Sequence, residues 1–167
     1  MNLRDAVNTD QYELVKSVLE KSSNLGQEEL SLALAASVDC EDLRIMQLLI
    51  EHGADVNFIP PDCMPVLNWA VEQGRADVIR LLAENGANMN IQDNMGNTPL
   101  HIALDIEITS ASEWSHLPEM EISRLLYDLQ ADPTVQDKEG ISCIDMVRER
   151  SFPEALDLFL KRYPEHE

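Results

Sequence analysis

LLIEHGADVN, Leu48 to Asn57, returns 33 residues later as LLAENGANMN, Leu81 to Asn90, with Leu49 over Leu82, Gly53 over Gly86 and Ala54 over Ala87. The stretch before it repeats at the same offset, since VLNWAVEQG from Val66 matches PLHIALDIE from Pro99. A third copy follows at an offset of 44: QDNMGNTPLHIAL from Gln92 lies over QDKEGISCIDMV from Gln136, and RLLAENGANMNIQ from Arg80 lies over RLLYDLQADPTVQ from Arg124. The difference between the offsets is an 11-residue insertion inside one repeat. Fixed-period self-similarity of this length means stacked supersecondary units that cannot bury their apolar faces alone.

Local chemistry makes each unit a pair of helices. Thr98 offers a capping hydroxyl, and Pro99 then takes the first helical position, where its missing N–H costs nothing. Gly53 and Gly86 directly follow apolar-periodic stretches, so each suits the left-handed residue that ends a helix. Gln130 occupies that place in the fourth repeat, which predicts a strained left-handed residue or a different exit. Ser142, with Asp145 three residues on, keeps a capping box in the last repeat. Small Ala70 and Ala103 permit close approach of neighbouring first helices; between Asn24 and Cys40 either Ala36 or Ser37 fits the place of Ala70.

QDNMGNTPLHIAL and LLIEHGADVN resemble the two halves of the ankyrin repeat. The resemblance implies an all-α solenoid of stacked helix-turn-helix units with short β-hairpin fingers. Fainter copies extend it to both ends, through Leu14, Val15 and Val18 and through Ala155, Leu156 and Phe159. The expected organisation is a single domain over residues 1–167, with repeats near 1–24, 25–57, 58–90, 91–134 and 135–163. FIPPDCMPVLN replaces one finger, and its Pro60, Pro61 and Pro65 predict an irregular segment there. The insertion falls between the two helices of the fourth repeat, which predicts a lengthened first helix and then an exposed loop carrying Trp114.

Composition bounds the function. The chain carries 31 acidic and 12 basic residues, a net charge of −19. Such a charge argues against gripping nucleic-acid phosphates and favours a basic protein partner. No run approaches the ~18 apolar residues of a membrane span, and the N-terminal residues lack the pattern of a secretory signal. Cys40, Cys63 and Cys143 form neither a disulfide framework nor a zinc motif, so a reducing, cytoplasmic setting is expected. No phosphate loop, nucleophile elbow or paired-carboxylate signature appears, so no catalytic residue, cofactor or metal is expected. His101, in the repeat motif beside Thr98, is expected to order the stack through hydrogen bonds.

What remains is surface. The resemblance places partners along a concave side of finger tips and exposed faces of the first, inner helices. Carried over by position, the fingers offer Phe58, Ile59, Asp62 and Met64, then Asn94, Met95 and Asn97, then Lys138, Glu139 and Ile141. Inner helices add Trp69, Glu72 and Gln73, then Ile102 and Asp105, then Met146 and Glu149. Trp69 is the leading anchor, because large aromatics carry much of the energy of protein interfaces, and Trp114 in the insertion is a further candidate. The expected activity is non-catalytic: a monomeric adaptor that holds another protein. The alternative is an acidic inhibitor, or immunity-type protein, that blocks a cationic enzyme such as a nuclease.

Overall fold

The computed structural model describes residues 2–22, 25–60, 64–114 and 120–164, with only the backbone given for 111–114. Its regular structure is helical throughout, and the internal contacts divide the chain into two compact bodies, residues 1–88 and 89–167.

The first body holds α1 (Leu3–Val7), α2 (Tyr12–Lys21), α3 (Gln27–Ala36), a 3₁₀ turn (Ser37–Asp39), α4 (Leu43–Glu51), α5 (Val66–Glu72) and α6 (Ala76–Glu84). α1 packs on α2 and α3, α2 on α4, α3 on α4, and α5 on α6 and the 3₁₀ turn. The core follows the repeated positions: Leu34, Ile45, Met46, Leu49, Leu67, Ile79 and Leu82 are at most 1% exposed. Ser37 is buried while Ala36 is only half-buried, so Ser37 takes the place of Ala70; its hydroxyl donates to the Leu34 carbonyl at 2.7 Å. Arg75 reaches back across the repeat boundary, donating to the carbonyls of Val38 (2.8 Å) and Cys40 (3.0 Å) while its other nitrogens hold Asp77. Those carbonyls end the 3₁₀ turn, and a planar guanidinium can serve both at once.

The second body holds α7 (Pro99–Trp114), α8 (Glu121–Asp128), α9 (Cys143–Glu149) and α10 (Pro153–Leu160), with α7 packed on α8 and α9, and α9 on α10. At 16 residues α7 is more than twice the length of α5, so the insertion lengthens the inner helix as its sequence predicts. The exposed loop expected to carry Trp114 is corrected in part: the backbone is helical through Trp114, and residues 115–119, with the side chain of Trp114, lie outside the described residues.

Several helices in the two bodies share one kind of exit. Gly53 (φ 98°) and Gly86 (φ 84°) are left-handed, and after each the chain turns back, with Ala54 N–H bonded to Leu49 O and Ala87 N–H to Leu82 O, both at 3.0 Å. That is the six-to-one bond of the Schellman motif. Gln130 makes the same exit with φ 73°, its neighbour Ala131 N–H reaching Leu126 O at 2.9 Å. The geometry of the turn therefore prevails over the side chain that glycine would have spared.

The expected β-hairpin fingers form as turns, and among the described residues the one β-bridge pairs Gln136 with Ser142. The tips are held locally. Asp93 Oδ1 accepts the N–H groups of Met95 (2.8 Å) and Asn97 (2.9 Å), and 44 residues on Asp137 Oδ1 accepts those of Glu139 (2.8 Å) and Ile141 (2.9 Å). Carboxylates that satisfy N–H groups in this way make Asx turns at the tips, and each tip closes through one backbone bond, Asp93 N–H to Asn97 O and Asp137 N–H to Ile141 O, both at 3.0 Å.

Candidate interaction surface

Asparagine side chains fasten successive loops. Asn57 Oδ1 accepts from Asn88 N–H at 2.7 Å and its Nδ2 donates to Gly86 O at 3.2 Å, while in the second body Asn90 Oδ1 accepts from Asp132 N–H at 2.8 Å. His101 does the same for the inner helices. Its Nδ1 accepts from the Thr98 hydroxyl (2.8 Å), and its Nε2–H donates to Ile141 O in the next repeat at 3.1 Å. Burial holds this imidazole below the usual histidine range, which keeps Nδ1 free of a proton and able to accept. His101 thereby ties the start of its own helix to the turn of the next repeat.

In the second body those two turns lie backbone to backbone. Lys138 N–H donates to Met95 O (3.2 Å), Lys138 Nζ donates to Asn94 O (2.7 Å), and Gln92 Nε2 donates to Gln136 O (2.9 Å). Gly96 is required at this junction, for a Cβ there would sit 2.6 Å from the Lys138 nitrogen. At the tip Met95 is 63% exposed, and Asn94 and Glu139 are exposed beside it. Asn97 and Ile141 are half-buried and engaged by Asp93 and by Asp137 and His101, and Lys138 is committed to Asn94, so these three shape the turns.

On the inner helices of the second body, Ile102 and Met146 are half-buried and Glu149 is exposed. Asp105 is exposed but already paired, its Oδ1 lying 2.7 Å from Arg150 Nη1. The sequence reading passed over Arg150, and over Ile106, which is 40% exposed one turn beyond Ile102. It also missed Glu107. This half-buried carboxylate accepts the N–H groups of Ile122 (2.9 Å) and Ser123 (3.2 Å), capping α8, whose own N-cap Met120 supplies no side-chain bond. Burial pushes the carboxyl above the usual glutamate range, opposed by the Ser123 hydroxyl and by the two N–H groups.

In the first body Ile59 is 42% exposed, Phe58 and Met64 are half-buried, and Glu72 and Gln73 are exposed at the end of α5. Asp62 lies outside the described residues. Trp69 is half-buried, and its indole nitrogen is buried with no acceptor among the described residues. Its polar end is therefore turned inward, and part of the side chain remains accessible.

The two described cysteines, Cys40 and Cys143, are buried. Burial pushes the Cys40 thiol up to about 11, with Asp10 adding to the rise, and lifts Cys143 well above the usual thiol range. Thiols in that state are poor nucleophiles at neutral pH. Among the described residues no three histidine, cysteine or acidic side chains are grouped to hold a metal, and no helix is long and apolar enough to cross a membrane.

A framework of stacked helix pairs bound by Asn, His and Asx turns, carrying exposed apolar tips, defines a repeat protein that works through its surface. The model of the family described as ankyrin repeats (3 copies) matches residues 3–93 and 32–137, and the chain belongs to that family. It is similar to the ankyrin repeat and KH domain-containing protein mask-1 of Caenorhabditis elegans, 27% identical over 139 residues, covering 83% of this chain and 5% of that protein. Palmitoyltransferase Hip14 of Drosophila melanogaster matches 58% of the chain at 35% identity, over 14% of its own length. Putative ankyrin repeat protein YahD of Escherichia coli (strain K12) is 24% identical over 153 residues, 90% of this chain and 73% of that protein. The chain thus spans a small part of the first two relatives and nearly three quarters of the third. Ankyrin repeats indicate a protein–protein interaction module, and the family is generally non-catalytic.

Proposed function

We propose that this chain binds a protein partner that presents basic residues around an apolar spot, using finger tips and exposed inner-helix residues. The observation that carries this reading is Met95, 63% exposed at the end of a turn whose backbone is tied on both sides. A turn whose backbone is already fixed has little main-chain freedom left to lose on binding, and methionine is enriched in interface cores. Asn94, Glu139, Ile102, Asp105, Met146 and Glu149 supply the rest of the site in the second body. Ile59, Phe58, Met64, Trp69, Glu72 and Gln73 give the first body a surface of the same kind. The net charge of −19 selects against acidic partners and speeds encounter with basic ones. The buried thiols of Cys40 and Cys143 suit a reducing, cytoplasmic setting.

Capture from the native cell lysate with the tagged chain, followed by mass spectrometry, tests this reading when run beside Met95→Asp. The expected result is a basic protein retained at low salt, released at high salt, and depleted at least ~10-fold by the variant, a ratio worth ~1.4 kcal/mol. A partner that loses enzymatic activity on binding would identify the chain as an inhibitor. Equal capture by Met95→Asp, unaffected by salt, would remove the finger tip and the charge from the account.

A further inference from the structure

Between α9 and α10 an open groove of about 340 Å³ is lined by Val147, Arg148, Ser151, Phe152, Pro153 and Leu156. Superposing the repeats at an offset of 77 places Arg148 over Val71 and Leu156 over Ile79. Val71 and Ile79 are 3% and 0% exposed, whereas Arg148 is exposed and Leu156 only half-buried. α10 carries Ala155, Leu156, Leu158, Phe159 and Leu160, yet it buries only Ala155 and Phe159 and leaves Leu156, Leu158 and Leu160 half-buried. This repeat thus presents the kind of face that α5 and α6 bury.

The charge at this face is unlike that of the remainder. From Cys143 to Pro164 four acids, Asp145, Glu149, Glu154 and Asp157, are matched by four cations, Arg148, Arg150, Lys161 and Arg162; the other residues hold 27 acids against 8 cations. Two copies of so acidic a chain repel each other through most of their surface, and the segment from Cys143 to Pro164 is where that repulsion is weakest. Several of its charges are already used: Arg150 by Asp105, Lys161 by Asp157 at 3.1 Å, and Arg162 by the Tyr127 carbonyl at 2.8 Å. Arg148 lines the groove from α9 and Glu154 stands on α10 next to the lining Pro153; both are exposed, and neither has an ion-pair partner among the described residues.

We propose that this face is closed by a second copy of the chain, related by a two-fold axis, with Phe152 and Leu156 meeting their counterparts and Arg148 of each copy facing Glu154 of the other. A self-complementary apolar patch rimmed by one cation and one anion is what an isologous contact requires. One repeat offers a small area, so the dimer is weak and depends on concentration. It replaces the monomer expected from the sequence and is independent of the partner site proposed above.

Sedimentation velocity from about 5 to about 500 µM chain reads the association directly. The expected result is a rise from monomer to dimer for the wild type, monomer throughout for Leu156→Glu and Arg148→Glu, and recovery of the dimer in Arg148→Glu/Glu154→Arg. Far-UV circular dichroism establishes that each variant is folded, and Arg148→Glu, at an exposed position, keeps the test decisive if Leu156→Glu is not. A wild type that stays monomeric to the highest concentration would overturn the proposal, as would a dimer indifferent to Arg148→Glu. Failure of the double charge exchange to restore association would also overturn it.

Discussion

The left-handed exit at Gln130 can be tested against the glycine exits it imitates. An L-residue with a side chain pays about 1–2 kcal/mol to adopt the left-handed conformation, and glycine pays about 0.5–1 kcal/mol more than other residues in chain entropy on folding. Gln130 has φ 73°, is exposed, and makes one side-chain bond, from Nε2 to Asp128 O at 3.2 Å. Losing that solvent-exposed bond costs a few tenths of a kcal/mol at most. Gln130→Gly should therefore stabilise the protein by about 0.5 kcal/mol. The mirror change is Gly86→Ala, at φ 84°, where an added Cβ meets nothing within 4 Å and the conformational cost stands alone. It should destabilise by about 0.5–1 kcal/mol. Guanidinium denaturation followed by circular dichroism measures both midpoints under one set of conditions. A destabilised Gln130→Gly beside an unaffected Gly86→Ala would refute the argument that these turns are governed by backbone conformation.

Leu82→Ala should cost ~2–5 kcal/mol, because it empties a fully buried site in the first body, whereas Glu84→Ala on the exposed face should cost under ~0.5 kcal/mol; thermal melts of the two separate the faces of α6. Glu107→Ala should lower stability by ~0.5–2 kcal/mol, as loss of an N-cap does, and Glu107→Gln should not, since its amide oxygen can accept the same N–H groups. Because the folded state raises the Glu107 carboxyl above its unfolded value, its contribution is full below the unfolded pKa and is lost as pH rises through the folded one. The stability of Glu107→Gln relative to wild type should accordingly increase as pH rises above the ordinary glutamate value of about 4.3, and a constant or falling difference in denaturant midpoint would reverse the sign of the burial argument.

The sequence was most informative where one residue acts on its own backbone. Gly53 and Gly86 mark helix ends because few other residues take positive φ without cost, and Thr98, Pro99, Ser142 and Asp145 mark helix starts within three residues of themselves. Contacts between distant residues were harder to read. Nothing in the neighbourhood of Glu107 shows that its carboxylate will cap a helix beginning at Glu121, because the bond depends on how α7 and α8 pack. Arg75 is similar: its hydrogen bonds to Val38 and Cys40 span more than 30 residues. The fingers are as short as expected, since Asp93 and Asp137 satisfy locally the N–H groups at their tips and the one β-bridge among the described residues pairs Gln136 with Ser142. Of the candidate site residues, Met95 and Ile59 are exposed, while Trp69 is half-buried; an inner-helix position gives a side chain's direction and leaves open how far its neighbours cover it. Asn97 and Ile141 were chosen for being at the tips, yet the turn geometry holds them inward.

Hydrogen–deuterium exchange of the chain with and without its captured basic partner tests the central claim most directly. If the finger tips and inner helices form the binding surface, bound partner should slow exchange in residues 92–104 and 136–149 and leave α8 and α10 unchanged. Protection confined to the outer helices α8 and α10, with the turns at Met95 and Glu139 exchanging as in the free chain, would contradict it.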